Sequence, residues 1–138
     1  MMDQIQATII TIGDELLIGQ VIDTNSAYIA QKLNSIGVQV HQRIAVGDEV
    51  LSITNALDTA LEKSQIVIIT GGLGPTADDI TKPLLNRYFG GKMVLDQPTL
   101  DHITYIFEQV HKRPMIERNR KQAEVPDVSE VLFNQTGT

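Results

Sequence analysis

Apolar positions along the chain switch between a strand period and a helix period, and the switches predict its elements. Ala7-Thr8-Ile9-Ile10-Thr11-Ile12 is β-branched and apolar, which predicts a buried first strand. Gly13 to Asn25 reads as a long loop or short helical turn. Tyr28-Ile29, Leu33 and Ile36 then recur at helical spacing, so Ser26 to Ile36 is predicted helical. Asp23, Thr24 or Asn25 can cap that helix, and Gly37 suits its end. Val38 to Val46 alternates imperfectly and reads as a second strand. Asp48 is a good N-cap for a helix marked by Val50, Ile53, Leu57 and Leu61. Ile66 to Thr70 is the third strand, and a helix from about Ile80 to Tyr88 ends at Gly90-Gly91.

Beyond Gly91 the pattern weakens. Met93-Val94-Leu95 is too short to assign. Gln97-Pro98-Thr99 opens a helix with Leu100, Ile103, Ile106-Phe107 and Val110 on one face, broken by Pro114. Glu117 to Glu124 reads as a short charged helix that stops before Pro126. Val131-Leu132-Phe133 reads as a further strand, followed by a turn to Thr138. Strands alternating with helices predict an α/β domain with a mostly parallel sheet.

The stretch Thr70-Gly71-Gly72-Leu73-Gly74-Pro75-Thr76-Ala77-Asp78-Asp79-Ile80-Thr81 joins the third strand to the next helix. Its three glycines allow a tight turn and close approach of backbone to a ligand. A helix N-terminus offers unpaired N–H groups that suit a phosphate. Asp78 and Asp79 set two carboxylates beside that place, which makes chemical sense with a divalent cation between them and the phosphate. The plainer reading makes Asp78 or Asp79 the N-cap of the helix and the glycines only a turn. No Gly-Lys-Ser/Thr follows, so this is not a Walker A loop, and the glycine spacing is not that of a dinucleotide fingerprint.

In an open parallel sheet, ligands bind beyond the carboxyl ends of the strands. Three acidic loops fall there: Asp14 and Glu15 after strand one, Asp48 after strand two, Asp78 and Asp79 after strand three. That convergence predicts one acidic, glycine-lined cleft at one edge of the sheet.

Composition narrows the ligand. The chain has 138 residues, which predicts a single domain, residues 1–138, with one core. Eleven basic against seventeen acidic residues give a formal charge of −6, which argues against a nucleic-acid surface. A phosphate ligand would therefore need backbone dipoles, a metal or a few placed cations. There are no cysteines, so disulfides and thiolate metal sites are excluded. No apolar run approaches a membrane span and no leader pattern opens the chain, so a cytoplasmic protein without a membrane partner is expected.

Gly13-Asp14-Glu15-Leu16-Leu17, Asp23-Thr24-Asn25, Gly47-Asp48 and the Gly71 to Thr81 motif occur in an order and spacing that resemble a known family. Asn119-Arg120-Lys121-Gln122-Ala123 with Val125-Pro126, and Asn134 with Gly137-Thr138, extend the likeness. The set resembles the N-terminal domain of the competence/damage-inducible protein CinA, within the molybdopterin-binding (MoaB/MogA-like) superfamily. The resemblance implies a three-layer α/β/α sandwich that continues beyond Gly137-Thr138, and in CinA a second domain. It implies metal-dependent hydrolysis of the pyrophosphate in ADP-ribose, or molybdopterin binding with adenylyl transfer. Both act on a phosphate group, and the ligand is a small nucleotide or pterin. The resemblance also implies a homo-oligomer, a dimer or trimer.

Carried onto this chain, Asp48 and Asp79 match the family's catalytic acidic positions. Gly71, Gly72 and Gly74 match the ligand-cradling loop, with Pro75, Thr76 and Thr81 in the same motif. Asp14 and Glu15 match the acidic loop at the sheet edge. Asp78 stands where molybdenum-cofactor enzymes often carry a basic residue, which favours the CinA branch. The resulting expectation is attack of water on a nucleotide-sugar pyrophosphate. Backbone N–H groups of Gly72 to Thr76 hold phosphate oxygens, Asp48, Asp78 and Asp79 hold Mg²⁺ or Co²⁺, and Asp79 acts as base. A non-catalytic nucleotide-binding module is the remaining reading. Outside this set, Lys82 reads as a solvated lysine within reach of phosphate and Arg43 as a strand-edge residue. His41, His102 and His111 show no metal spacing, and Arg118-Asn119-Arg120-Lys121 reads as a solvated helix face.

Overall fold

The structure, a computed structural model, describes residues 4–137 as two compact units, Met1–Gly72 and Leu73–Thr138. The boundary falls inside the glycine-rich stretch.

The first unit contains β1 (Gln6–Ile12), α1 (Asp14–Leu17), α2 (Thr24–Ser35), β2 (Gln39–Val46), α3 (Val50–Lys63) and β3 (Ile66–Thr70). Its sheet is parallel, in the order β2-β1-β3. β1 takes the centre and is the most deeply buried strand of the three: Ala7, Ile9, Ile10 and Ile12 are all buried, while β3, also apolar toward both faces, is only partly buried at the edge. β2 takes an edge, where its polar residues Gln39, His41, Gln42 and Arg43 remain exposed. The β1–α2–β2 connection runs one way across the sheet and β2–α3–β3 runs back. Right-handed crossovers in opposite directions put α2 and α3 on opposite faces. The two buried threonines of β1 report this directly. Thr11 donates to Asp23 at the start of α2 (2.8 Å), while Thr8 shares a 2.8 Å hydrogen bond with Ser64 at the end of α3. Three residues apart on a strand, they face opposite sides. α3 buries Ile53, Leu57 and Ala60, one helical stripe. Full burial of an Ile or Leu side chain is worth about 1.5–3 kcal/mol.

The second unit contains α4 (Thr81–Tyr88), β4 (Met93–Leu95), α5 (Gln97–Tyr105), α6 (Glu117–Arg120) and β5 (Glu124–Pro126). α5 loosens into a π-turn over Ile106–Val110, and a 3₁₀ turn over Lys121–Ala123 links α6 to β5. Leu100, Ile103 and Ala123 form its core, with Phe107 and Met115 packed against them. Met93–Leu95, which sequence alone leaves unassigned, is a strand because β5 supplies an antiparallel partner, with Val94 opposite Val125.

Three local expectations need correction. Val131-Leu132-Phe133 is not a strand; Leu132 and Phe133 are exposed, and Phe133 instead sets its ring 4.7 Å from that of His102. An apolar triplet becomes a strand only when a ladder partner exists, and none is described here. The predicted charged helix over 117–124 ends early, since Glu124 turns extended to pair with Leu95. Asp48 does not cap α3; Glu49 stands at that position with no side-chain cap bond. Thr138, the last residue of the predicted terminal turn, lies outside the described residues.

Candidate functional site

In the first unit the loops after β1 and β2 are tied by a reciprocal exchange. The Asp14 backbone N–H donates to Asp48 Oδ2 (3.2 Å), and the Asp48 N–H donates to Asp14 Oδ1 (3.1 Å). This is why Asp48 does not cap α3: its carboxylate is turned toward Asp14. Two of the predicted acidic loops thus meet at the carboxyl ends of adjacent strands. One oxygen of each carboxylate remains for a ligand.

A part-buried network beside them joins Asp23, expected as a helix cap, to Arg43, expected as a strand-edge residue. Asp23 accepts from the Ser26 N–H (3.0 Å), the Ser26 hydroxyl (2.6 Å) and the Thr11 hydroxyl (2.8 Å). Arg43 donates through Nε (3.0 Å) and Nη2 (2.8 Å) to Ser26 Oγ. Burial is the largest single influence on Asp23 and favours its neutral form. The hydrogen bonds from Ser26 and Thr11, with the Arg43 charge, outweigh it and hold the carboxyl below its usual range. The folded value is depressed, so the stabilisation is complete above the unfolded carboxyl value of about 4 and is lost as pH falls through the folded value. Asp23→Asn is therefore expected to lower the urea midpoint at pH 7, with the gap to wild type shrinking toward pH 3. An equal gap at both pH values refutes the charge argument. Asp23 also borders a cleft of about 170 Å³ with Glu15, Asn25, Thr70 and Gly71.

The glycines are used differently from expectation. Gly71 has φ +89°, and a Cβ there would overlap the carbonyl oxygen of Ile12. Gly71 thus lets β3 leave the sheet in close contact with β1. At Gly13, Gly47 and Gly74 the space of a side chain is taken by a carboxylate: those of Glu15, Asp14 and Asp79 respectively. Each acidic loop therefore seats an acid over a glycine backbone.

The second unit carries the clearest case. Asp79 Oδ2 accepts from the Thr76 N–H (3.1 Å) and the Thr76 hydroxyl (2.6 Å). The Thr76 hydroxyl bond is the largest influence and depresses the Asp79 pKa; burial opposes it, and the nearby backbone N–H groups of Thr76 and Gly74 add to the lowering. So the Thr76 N–H, one of those expected to cradle phosphate, already binds an internal anion. Neither Asp78 nor Asp79 caps α4, whose N-cap is Ile80 without a side-chain bond. A depressed pKa also makes Asp79 a weak base. Asp78 is exposed beside it, and Thr81 is buried in the first turn of α4.

A cleft of about 340 Å³ opens beside this loop, lined by Gly74, Thr76, Asp79, Lys82, Lys121 and Glu124. Pro75 forms part of its wall. Lys82 is not a solvated lysine. It is half-buried and donates to the carbonyls of Gln122 (3.2 Å) and Glu124 (2.7 Å). Burial lowers its pKa, with partial compensation from Glu124. Lys121, assigned from sequence to a solvated helix face, stands on the cleft. A basic run carries no signal of which member turns inward.

Among the described residues no group of three or more His, Asp or Glu side chains stands in metal-binding arrangement. Asp48 belongs to the first unit and Asp78 and Asp79 to the second, so the sequence-predicted trio is not one cluster within either. Among the described residues no helix is long and apolar enough to cross a membrane.

The family described as "Probable molybdopterin binding domain" matches residues 8–132. A solved structure of the protein CinA, of unknown function, from Thermoplasma acidophilum aligns with a TM-score of 0.80 and 31% identity, covering 96% of this chain and 76% of that one. The chain belongs to the CinA branch of this molybdopterin-binding domain family. A CinA-like protein of Flavobacterium psychrophilum is 50% identical over 133 residues, 96% of this chain. The chain spans about a third of the length of the curated relatives it matches, 32% in that case. The tungsten cofactor synthesizing protein MoaB from Pyrococcus furiosus shares the fold, with a TM-score of 0.60 at 22% identity over 80% of this chain and 67% of that one. The α/β architecture with a parallel sheet, expected from the CinA resemblance, is thus the fold of this family.

Proposed function

We propose that this CinA-type domain binds a small phosphate-bearing ligand at its glycine loop and hydrolyses a nucleotide-sugar pyrophosphate of the ADP-ribose type. One observation supports this above the others: the loop holds Asp79 ionised at the wall of a cleft that also presents lysines. At about 340 Å³ the cleft falls in the range of small-molecule sites, about 300–1,000 Å³.

The oxygen donors present suit a hard divalent cation. Mg²⁺ is commonly held by one or two carboxylates together with substrate phosphates and water, so Asp78 and Asp79 suffice in number. When bound, such a cation neutralises phosphate charge and lowers the pKa of water. The chain's own residues do the rest. Thr76 fixes the Asp79 carboxylate and keeps it charged. Lys82 stays anchored on the carbonyls of Gln122 and Glu124 and contributes positive potential to the cleft. Asp79 thereby serves as an anchor rather than as the base that sequence reasoning assigned to it.

The family description favours a second reading, molybdopterin binding, with adenylyl transfer to the pterin as the reaction that reading proposes. Release of AMP from ADP-ribose, with Mg²⁺ or Co²⁺ and with both withdrawn by EDTA, separates the two. The expected result is metal-dependent AMP release that EDTA abolishes and added metal restores. No release with either metal refutes the hydrolase, and pterin-dependent adenylyl transfer in its place establishes the second reading. Self-association to a dimer or trimer belongs to the same proposal and is checked by light scattering.

A further inference from the structure

We infer that Lys121 is the phosphate-binding cation of the glycine-loop cleft, a role that rests on the phosphoanhydride reading of that site. Four charged side chains line the cleft: Asp79, Lys82, Lys121 and Glu124. Asp79 accepts from the Thr76 hydroxyl and the Thr76 N–H. Lys82 is committed to two backbone carbonyls. Lys121 is exposed, and its ammonium has no hydrogen-bond or ion-pair partner among the described residues.

Lys121 is therefore the cation of the cleft whose donors are uncommitted among the described residues. The loop makes this matter. The Thr76 N–H, which would ordinarily help to hold a phosphate, is engaged by Asp79, so an incoming anion must find donors elsewhere. A lysine supplies three N–H donors as a point charge and can serve any phosphate oxygen it reaches. Lys121 begins the 3₁₀ turn whose other end, Ala123, is buried in the core of the unit. That anchoring holds the lysine stem at the cleft. Arg118 and Arg120, in the same basic run, do not line it.

The test is titration calorimetry of inorganic pyrophosphate, with Mg²⁺ present, into the whole chain. Wild type is compared with Lys121→Ala, Lys121→Arg and the distant control Lys63→Ala. Loss of one charge-assisted contact is expected to weaken Lys121→Ala about tenfold or more. Lys121→Arg, which keeps the charge, stays within about threefold, and Lys63→Ala matches wild type. The Lys121→Ala affinity is also expected to depend less steeply on salt, because one screened charge contact is gone. Because Lys121 is exposed, thermal midpoints stay at wild type and exclude misfolding. If wild type binds pyrophosphate and Lys121→Ala binds it equally, the assignment to Lys121 is overturned while the phosphate reading stands. If wild type does not bind pyrophosphate at all, the phosphate reading falls and the lysine assignment with it.

Discussion

Asp79→Ala is expected to abolish ligand binding at the glycine loop and to lower AMP release from ADP-ribose by about a hundredfold or more, the scale of removing one positioned catalytic group. The reason is double. The substitution removes a charged oxygen donor from the cleft wall, and it unties Thr76, whose N–H and hydroxyl lose their acceptor. A loop without that clamp no longer has one conformation to present. Sequence reasoning alone expects Asp79→Asn to leave everything but chemistry intact. The structure changes this expectation. Asparagine keeps a carbonyl acceptor for Thr76 but loses the charge that shortens and strengthens those bonds. Asp79→Asn should therefore retain more loop order than Asp79→Ala while losing comparable turnover. Limited proteolysis at the loop reads the order and AMP release reads the chemistry. Full turnover in Asp79→Ala would sink both roles.

Gly71→Ala is expected to produce the largest loss of stability of any single methyl addition in the first unit. Two costs combine. A non-glycine residue at φ +89° pays about 1–2 kcal/mol. The new Cβ would overlap the Ile12 carbonyl oxygen, which belongs to the central strand and cannot swing away. Overpacking of that kind costs about 1–3 kcal/mol more. Together these correspond to a thermal midpoint lower by roughly 10 °C for a chain of this size. Gly19→Ala is the matched control. Gly19 also has a positive φ, +76°, but a Cβ there meets nothing within 4 Å, so only the backbone cost applies. Differential scanning calorimetry of both variants separates the terms. Equal losses would show that the Ile12 overlap relaxes without cost.

The two variants probe different uses of one glycine-rich stretch. Gly71 serves the sheet, and Gly74 serves an acid. The sequence-level reading assigned both to a ligand, because a glycine in a one-dimensional string declares conformational freedom but not what occupies the space it leaves. The same holds for Asp48. A residue of that type before an apolar helix is a natural cap, yet its carboxylate pairs with the backbone of Asp14, thirty-four residues away. Local propensity competes here with a partner that only the parallel sheet brings near.

Sequence alone determined the α/β alternation and the three strands of the parallel sheet to within a residue at each end. It also determined the helix stripe of Ile53 and Leu57 and the place of the acidic loops after the strands. These follow from hydrophobic period and turn chemistry, which are local and survive in a string. Tertiary structure alone decided what has its cause at a distance. β4 exists because β5 lies beside it, while Val131-Leu132-Phe133 stays irregular for want of such a partner. Lys82 leaves solvent because two carbonyls some forty residues on accept its protons. Lys121 turns from a surface charge into part of a cleft because Ala123 anchors its turn in the core. Asp79 becomes the loop's own anion because the chain folds back by three residues to reach Thr76. Periodicity encodes which face a residue occupies; it does not encode which polar group will be waiting there, and at this site that pairing decides what each charge is free to do.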